Sequence, residues 1–280
     1  MIALPDNLTA AQLAQLKDAV EAEEARRHLL PFIKRMKEDY QPGPHHWLLC
    51  ELMELMDAGV IRRLITEMPP RHGKSAIVSH FYPAWYLGRH PERQFIGISY
   101  GQPLANDFSR WARDCFKHEK WPFDAKLHDS AYAVERWMTS KGGVYTAAGR
   151  QASITGRGAH HLNVDDPYKD REEAMSDLIK EEVWSKFTGV ARTRMMPGGT
   201  IALTQTRWTD DDVAGRLQKQ AGEGAGQWFC VKLPALHEAA EVWADVTVPD
   251  DLAREAGIKQ GEGISMHELV GRLHALKGGR

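Results

Sequence analysis

Apolar positions along the chain change their period near residue 60. Before that point the spacing is helical. Thr9 and Gln12 stand in capping-box spacing ahead of Leu13, Leu16 and Val20, which predicts a helix over 9–30 broken at Pro31. "FIKRMKEDY" predicts a short continuation, "QPGPHH" at 41–46 a turn, and "WLLCELMELMDAG" an amphipathic helix ending at Gly59. Beyond residue 60 strand-like and helix-like runs alternate. "VIRRLITEM", "QFIGISY", "HHLNVDD" and "GTIALTQTRW" read as strands. "GKSAIVSHFYPAWYLG" (with a proline inside it), "PLANDFSRWARDCFKHE" and "REEAMSDLIKEEVWSKFTGV" read as helices. Segment 134–148 alternates around Gly142-Gly143 like a hairpin, and Thr209 with Asp212 caps a helix in "DDDVAGRLQKQ". The pattern predicts an α/β fold, a mostly parallel central sheet flanked by helices on both faces.

After about residue 235 the chain turns acidic and is broken by Gly and Pro. One helix stands out there, capped by Ser265 and Glu268, with Met266, Leu269, Val270 and Leu273 on one face. The expected organisation is an N-terminal helical arm over 1–40, the α/β domain over 41–235, and a linker or docking tail over 236–280.

Composition narrows the class without deciding it. Apolar residues at 42% and charged residues at 26% of 280 are ordinary for a soluble globular chain. A net charge of −2 gives no global pull toward nucleic acid, so DNA contact would fall to local basic clusters. Arg26, Arg27, Lys34, Arg35, Lys37 and Arg62-Arg63 are such clusters, and each reads equally well as a solvated face. Cys50, Cys115 and Cys230 fit no C-x-x-C pattern, which suggests buried thiols in a reducing compartment. No basic-then-apolar leader opens the chain and no apolar run reaches the length of a membrane span, so a soluble intracellular protein is expected. His45-His46 and His160-His161 lack a matching ligand set for zinc, and Trp47, Trp85 and Trp137 read as core residues.

Chemistry enters at residues 67–77, "EMPPRHGKSAI". Gly73-Lys74-Ser75 ends like a phosphate loop, although the place of that loop's first glycine holds Met68. In such a loop backbone N–H groups curl around phosphates at a helix N-terminus, the lysine reaches the outer phosphates and the hydroxyl binds Mg2+. A predicted strand before it and a predicted helix after it fit that context. Asp165 and Asp166 close another strand, where the first acid would manage Mg2+ and the second orient or deprotonate the attacking water; a turn-capping Asp before Pro167 is the alternative. Thr204 and Gln205 in "TQTRW" either sense a γ-phosphate or simply terminate their strand. No N-K-x-D base-reading motif accompanies the loop, which favours ATP over GTP.

Taken in order, "MPPRHGKS", "SITGRGAHHLNVDDPYKD" and "TQTRWTDDDVAGRL", with the lead-in "YQPGPHHWLLCELMELMDAGVIRRL", resemble the ATPase domain of the large terminase subunit of tailed bacteriophages over roughly 41–235. The resemblance implies a RecA-like, additional-strand (ASCE) P-loop ATPase that couples Mg-ATP hydrolysis to translocation of double-stranded DNA into a procapsid. It implies a nucleotide site from Pro70, Arg71, His72, Gly73, Lys74, Ser75 and Ala76, joined by Thr204, Gln205 and, as an adenine contact, Gln41. Ser75 and Asp165 would hold Mg2+. Asp166 would be the catalytic base, at a place where many members carry Glu, working with Lys74 and an arginine supplied to the γ-phosphate. Arg157 is the first choice for that arginine and Arg150 the second, while Arg207 is expected to stabilise its own loop. Thr204, Gln205 and Thr206 would form the motif coupling hydrolysis to movement. Implied partners are DNA, the procapsid's portal protein, the small terminase subunit and further copies of the chain in a ring, within the host cytoplasm. The nuclease domain that follows in the family needs further strands, so no nuclease activity is expected of these residues. A nucleotide-gated DNA- or portal-binding module with negligible turnover is the competing reading.

Overall fold

The computed structural model describes residues 9–278 apart from 153, 155, 157, 223–226, 235–243 and 260–263. Helices α1 (Ala10–Arg27), α2 (Leu29–Met36) and α3 (Pro44–Asp57) precede strand β1 (Arg63–Glu67). A loop, one π-helical turn (Ala76–Phe81) and α4 (Tyr82–Arg89) lead to β2 (Gln94–Ser99) and α5 (Gln102–Cys115). Strands β3 (Leu127–Tyr132), β4 (Arg136–Thr139), β5 (Val144–Gly149) and β6 (Ala159–Asp165) follow. Then come α6 (Arg171–Met175), α7 (Asp177–Arg194), β7 (Met195–Gln205), α8 (Val213–Gly222) and β8 (Phe229–Lys232). The last elements are β9 (Asp245–Thr247), α9 (Asp250–Glu255) and α10 (Met266–His274).

Among the described residues one sheet runs in the order β3-β4-β5-β2-β6-β7-β1-β8-β9. Its six inner strands are parallel, and antiparallel strands close both edges. β7 lies between β1 and β6, so the strand entering the Gly73-Lys74-Ser75 loop and the strand ending in Asp165 are separated by one added strand. Alternation along each strand feeds two cores. Leu64, Phe95, Ala202 and Phe229 face α2, α3, α4 and α5, while Ile65, Ile96, Leu162, Val164 and Leu203 face α7 and α8.

Several local expectations change. The N-terminal helix breaks at His28, not at Pro31. Pro31 sits in the first turn of α2, where its missing N–H costs nothing, and buried Glu54 of α3 accepts from Leu29 N at 2.8 Å. α2 is held by Leu29, Phe32 and Ile33, all fully buried and each contributing about 1.5–3 kcal/mol. On α1 the buried residues are Ala22 and Ala25, whereas Leu13, Leu16 and Val20 remain exposed, because only its last turns lie on the body. α3 starts inside the expected turn, at Pro44, and is buried nearly all round.

The helix expected over 171–190 divides at Ser176, whose hydroxyl accepts from Ile179 N and restarts it as α7. α8 is capped by Asp212, whose Oδ1 accepts from Gly215 N at 3.0 Å, not by Thr209. Edge strands β3 and β9 had no alternation to announce them. The helix expected after Ser265 is present as α10, with Leu269, Val270 and Leu273 buried. Cys50, Cys115 and Cys230 are all buried, as are Trp85 and Trp137. No helix among the described residues is long and apolar enough to cross a membrane.

Candidate functional site

Four strands end in polar side chains on the face that looks at the π-helical turn. Ser99 of β2 stands in register with Asp165 of β6, Asp165 with Thr204 of β7, and Thr204 with Thr66 of β1. All four are fully buried, yet Thr66 Oγ1, Ser99 Oγ, Asp165 Oδ1 and Thr204 Oγ1 make no hydrogen bond within the protein. The side-chain amide of Gln205 is likewise buried and unpaired. A buried polar atom without a partner is costly, so such a row marks a place built for something other than packing.

The carboxylate of Asp165 is held from one side only. Its Oδ2 accepts from Ser79 Oγ at 2.8 Å, and the nearby Ser75 hydroxyl favours its charged form. Asn163 fixes Ser79 in turn, donating through Nδ2 to Ser79 Oγ at 3.0 Å and to Val78 O at 3.1 Å. Ser75 and Ser79, four residues apart, share a face of the helical segment, whose turn between Ala76 and Phe81 is π-helical: Tyr82 N bonds Ile77 O, one residue further back than in an α-helix. Pro83 lies just beyond and has no N–H to offer the carbonyl four residues back, which accounts for the widened turn. Burial, and after it the charge of Asp166, pushes the Asp165 carboxyl above the usual carboxylate range, against the opposing pull of Lys74 and the two hydroxyls.

Asp166 adopts a left-handed backbone, φ 46°, which Asp tolerates better than most residues. Its N–H donates to Thr204 O at 2.9 Å and its carbonyl accepts from Tyr100 N at 3.1 Å. Oδ1 takes Thr206 N at 3.2 Å, while Oδ2 receives the buried Lys74 ammonium at 2.6 Å. The loop and the two carboxylates, remote in sequence, therefore meet at the C-terminal ends of the parallel strands, where ligands of open α/β sheets bind.

Residues Pro70 to Ala76 form the connection from β1 to the helical turn. Arg71 at φ 63° and Gly73 at φ 77° are left-handed, and Ile77 N bonds Gly73 O as the helix begins. Gln41 is exposed on the segment leading into α3. Thr204 and Gln205 end β7 beside Asp165, as expected of residues near the loop. Arg150 is committed to Glu173, at 2.5 and 3.1 Å, and Arg157 lies outside the described residues. Arg207 does stabilise its own loop, bonding Glu67 at 2.6 Å, Asp212 at 3.0 Å and Thr209 O at 3.1 Å. Of the basic clusters, Arg26 and Arg27 pair with Glu23 and Arg35 with Asp18.

No sequence motif marks Ser79 or Asn163, and His46 was weighed only with His45 as a zinc ligand. Asn163 and Asp165 are two apart on one strand, so period two alone placed them on the same face. Nothing local pointed to His46, which reaches the loop from α3.

The donor set suits a divalent ion shared with phosphate. No three His, Cys, Asp or Glu side chains among the described residues form a metal cage. Asp165 Oδ1 and the Ser75 hydroxyl suit Mg2+, which is commonly bound through one or two protein groups plus substrate phosphates and water.

Comparison with known proteins bears on the family and the fold. The family model described as "Terminase large subunit, T4likevirus-type, N-terminal" matches residues 65–262. Among solved structures, that of the HK97 bacteriophage large terminase superposes with a TM-score of 0.50 at 13% identity, covering 91% of this chain. The chain spans 53% of that terminase's length. No curated protein matches it. The chain belongs to the terminase large subunit family, with the match falling on the N-terminal part of that subunit.

Proposed function

We propose that the chain is an ATPase motor that couples Mg-ATP hydrolysis to the movement of double-stranded DNA into a procapsid. The observation that carries this reading is the convergence of Lys74, Ser75, Asp165 and Asp166 at the ends of β1 and β6. Residues 71–76 cradle the phosphates with backbone N–H groups, Pro70 entering the loop without one, and Lys74 leaves Asp166 to reach the outer phosphates. Asp165 and Ser75 would hold Mg2+, which would supply neutralisation of phosphate charge. Asp166, released from Lys74 and still pinned by Thr206 N, orients the attacking water and accepts its proton. Thr204 and Gln205, buried with unpaired side-chain groups, sense the γ-phosphate and transmit its loss along β7. Gln41 reads the adenine. Arg157 is the leading arginine for the γ-phosphate, offered to a neighbouring copy in a ring; the bidentate Glu173 pair disfavours Arg150. The portal protein and the small terminase subunit are the further partners this role implies.

One observation favours a second reading, a nucleotide-gated binding module with negligible turnover: the Lys74–Asp166 pair occupies both groups in a resting arrangement. Phosphate release measured across a range of protein concentrations, with and without double-stranded DNA, separates the two. Turnover that rises steeply with concentration and DNA, and is abolished by Lys74→Ala, is expected of the motor. ATP binding without phosphate release under every condition would establish the gated module instead.

A further inference from the structure

The phosphate loop departs from the glycine-rich pattern where the backbone is most contorted. Met68 takes the place of the first glycine, and Arg71 adopts φ 63°, a conformation unfavourable for a residue with a Cβ. A strained turn persists only where its surroundings over-determine it. Two histidines do so here. His72 Nδ1 donates to Pro70 O at 2.8 Å, closing a side-chain ring around Arg71. His46, in the first turn of α3, accepts from Gly43 N at Nδ1, 2.9 Å away. That bond fixes its tautomer, so Nε2 carries the proton and donates to His72 O at 3.1 Å. The ring lies so close that a Cβ on Gly73 would stand 2.4 Å from His46 Nε2. Only glycine fits beneath the histidine, and it also supplies the second left-handed residue of the loop.

We infer that His46 is a positioning residue for the phosphate loop: it holds the His72 carbonyl outward, so the loop's N–H groups stay directed at an incoming phosphate. The same side chain ties the segment carrying Gln41 to the loop, so base and phosphate contacts form on one braced unit. His72 braces the loop from its own side. Together they do the work that flexible glycines do elsewhere, holding the loop preformed instead of letting it fold around the ligand. This inference rests on the reading of residues 70–76 as a nucleotide site.

The test compares His46→Phe, which keeps a ring in place but removes both hydrogen bonds, with His46→Gln, which retains an acceptor for Gly43 N and a donor for His72 O. Binding of ATP and of inorganic pyrophosphate is measured by calorimetry, and amide hydrogen exchange of residues 71–76 is followed in the ligand-free protein. His46→Phe is expected to weaken both ligands about tenfold, the worth of one or two hydrogen bonds, and to accelerate loop exchange. KM for ATP should rise by a similar factor with kcat little changed, and His46→Gln should restore most of both losses. His72→Phe, at a more exposed position, tests the same brace should His46→Phe fail to fold, and is expected to shift exchange and affinity in the same direction. Unaltered loop exchange and affinity in these variants would overturn the inference. Accelerated exchange in a protein whose wild type binds neither ligand would preserve the brace and refute the nucleotide reading beneath it.

Discussion

Ser79 illustrates how much of the site is decided by one hydroxyl. It is buried, it donates to a buried carboxylate, and its own oxygen is committed to Asn163. Removing it leaves Asp165 Oδ2 underbonded and the carboxylate free to rotate, so the oxygen intended for the ion loses its aim. Ser79→Ala should cost about 1–3 kcal/mol of stability. It should also weaken Mg2+ binding, seen as a roughly tenfold higher Mg2+ requirement and weaker Mn2+ binding in the presence of a non-hydrolysable nucleotide. An unchanged metal requirement would mean that Ser79 only packs. Lys74, Ser75, Asp165 and Asp166 were legible in the sequence because each sits in a short run whose neighbours announce it: strand, turn, helix, or apolar strand followed by acids. Ser79 and His46 were not. A serine inside a helix and a histidine at a helix start are ordinary residues until the π-turn and the packing of α3 bring them to the site.

At the scale of elements, Arg207 fastens the end of β1, the end of β7 and the start of α8. Its guanidinium bridges Glu67 and Asp212, both buried, while Gln218 of α8 adds a hydrogen bond to Glu67. Arg207→Ala would leave two buried carboxylates without their cation, a change that typically costs about 3–5 kcal/mol. The urea midpoint should fall accordingly, and Arg207→Lys should recover little, since an ammonium cannot span both acids. A midpoint within experimental error of the wild type would show that the network is not structural. The inner strands β1, β2, β6 and β7 were readable from their apolar runs, because burial on both faces demands such residues, whereas β5 was read only as one arm of a hairpin and β8 was not read. The edge strands "LHDSAY" and "DVT" were not readable either: they are half solvated, and each offers the core one apolar side chain, Leu127 and Val246, too few to make a pattern. The break between α1 and α2 was misplaced for a related reason. Pro31 is the conspicuous local signal, whereas the bond that starts α2 comes from Glu54 in another helix.

For the whole molecule, the most informative stress is acid. His161 lies between β6 and the aromatic core, stacked on Phe95 and bonded to Thr200 at 2.8 Å. Burial lowers its pKa from the ordinary 6.5 to about 3, and His80 is lowered to about 4 by the same cause. The folded state therefore keeps these rings neutral where the unfolded chain protonates them. Stability contributed by the neutral form is present above pH 6.5 and is lost as pH falls toward 3, an effect on the order of a few kcal/mol for His161. Urea midpoints between pH 7.5 and pH 4 should fall steeply in the wild type and less so in His161→Phe; parallel profiles would contradict this account. The same molecule-wide arrangement, with β7 inserted between β1 and β6, places residues 70–76 and the paired acids together at the C-terminal ends of the central strands.

The most direct test of the central claim is the single-turnover rate of Mg-ATP hydrolysis by Asp166→Asn beside the wild type, with protein in saturating excess over nucleotide and with double-stranded DNA present. Asn keeps the shape and can still accept from Thr206 N, but it neither accepts a proton nor holds Lys74 as an ion pair. A rate reduced at least 100-fold, with ATP bound no less tightly than by the wild type, is the expected result. Hydrolysis at the wild-type rate would remove Asp166 from the chemistry and contradict the site as described.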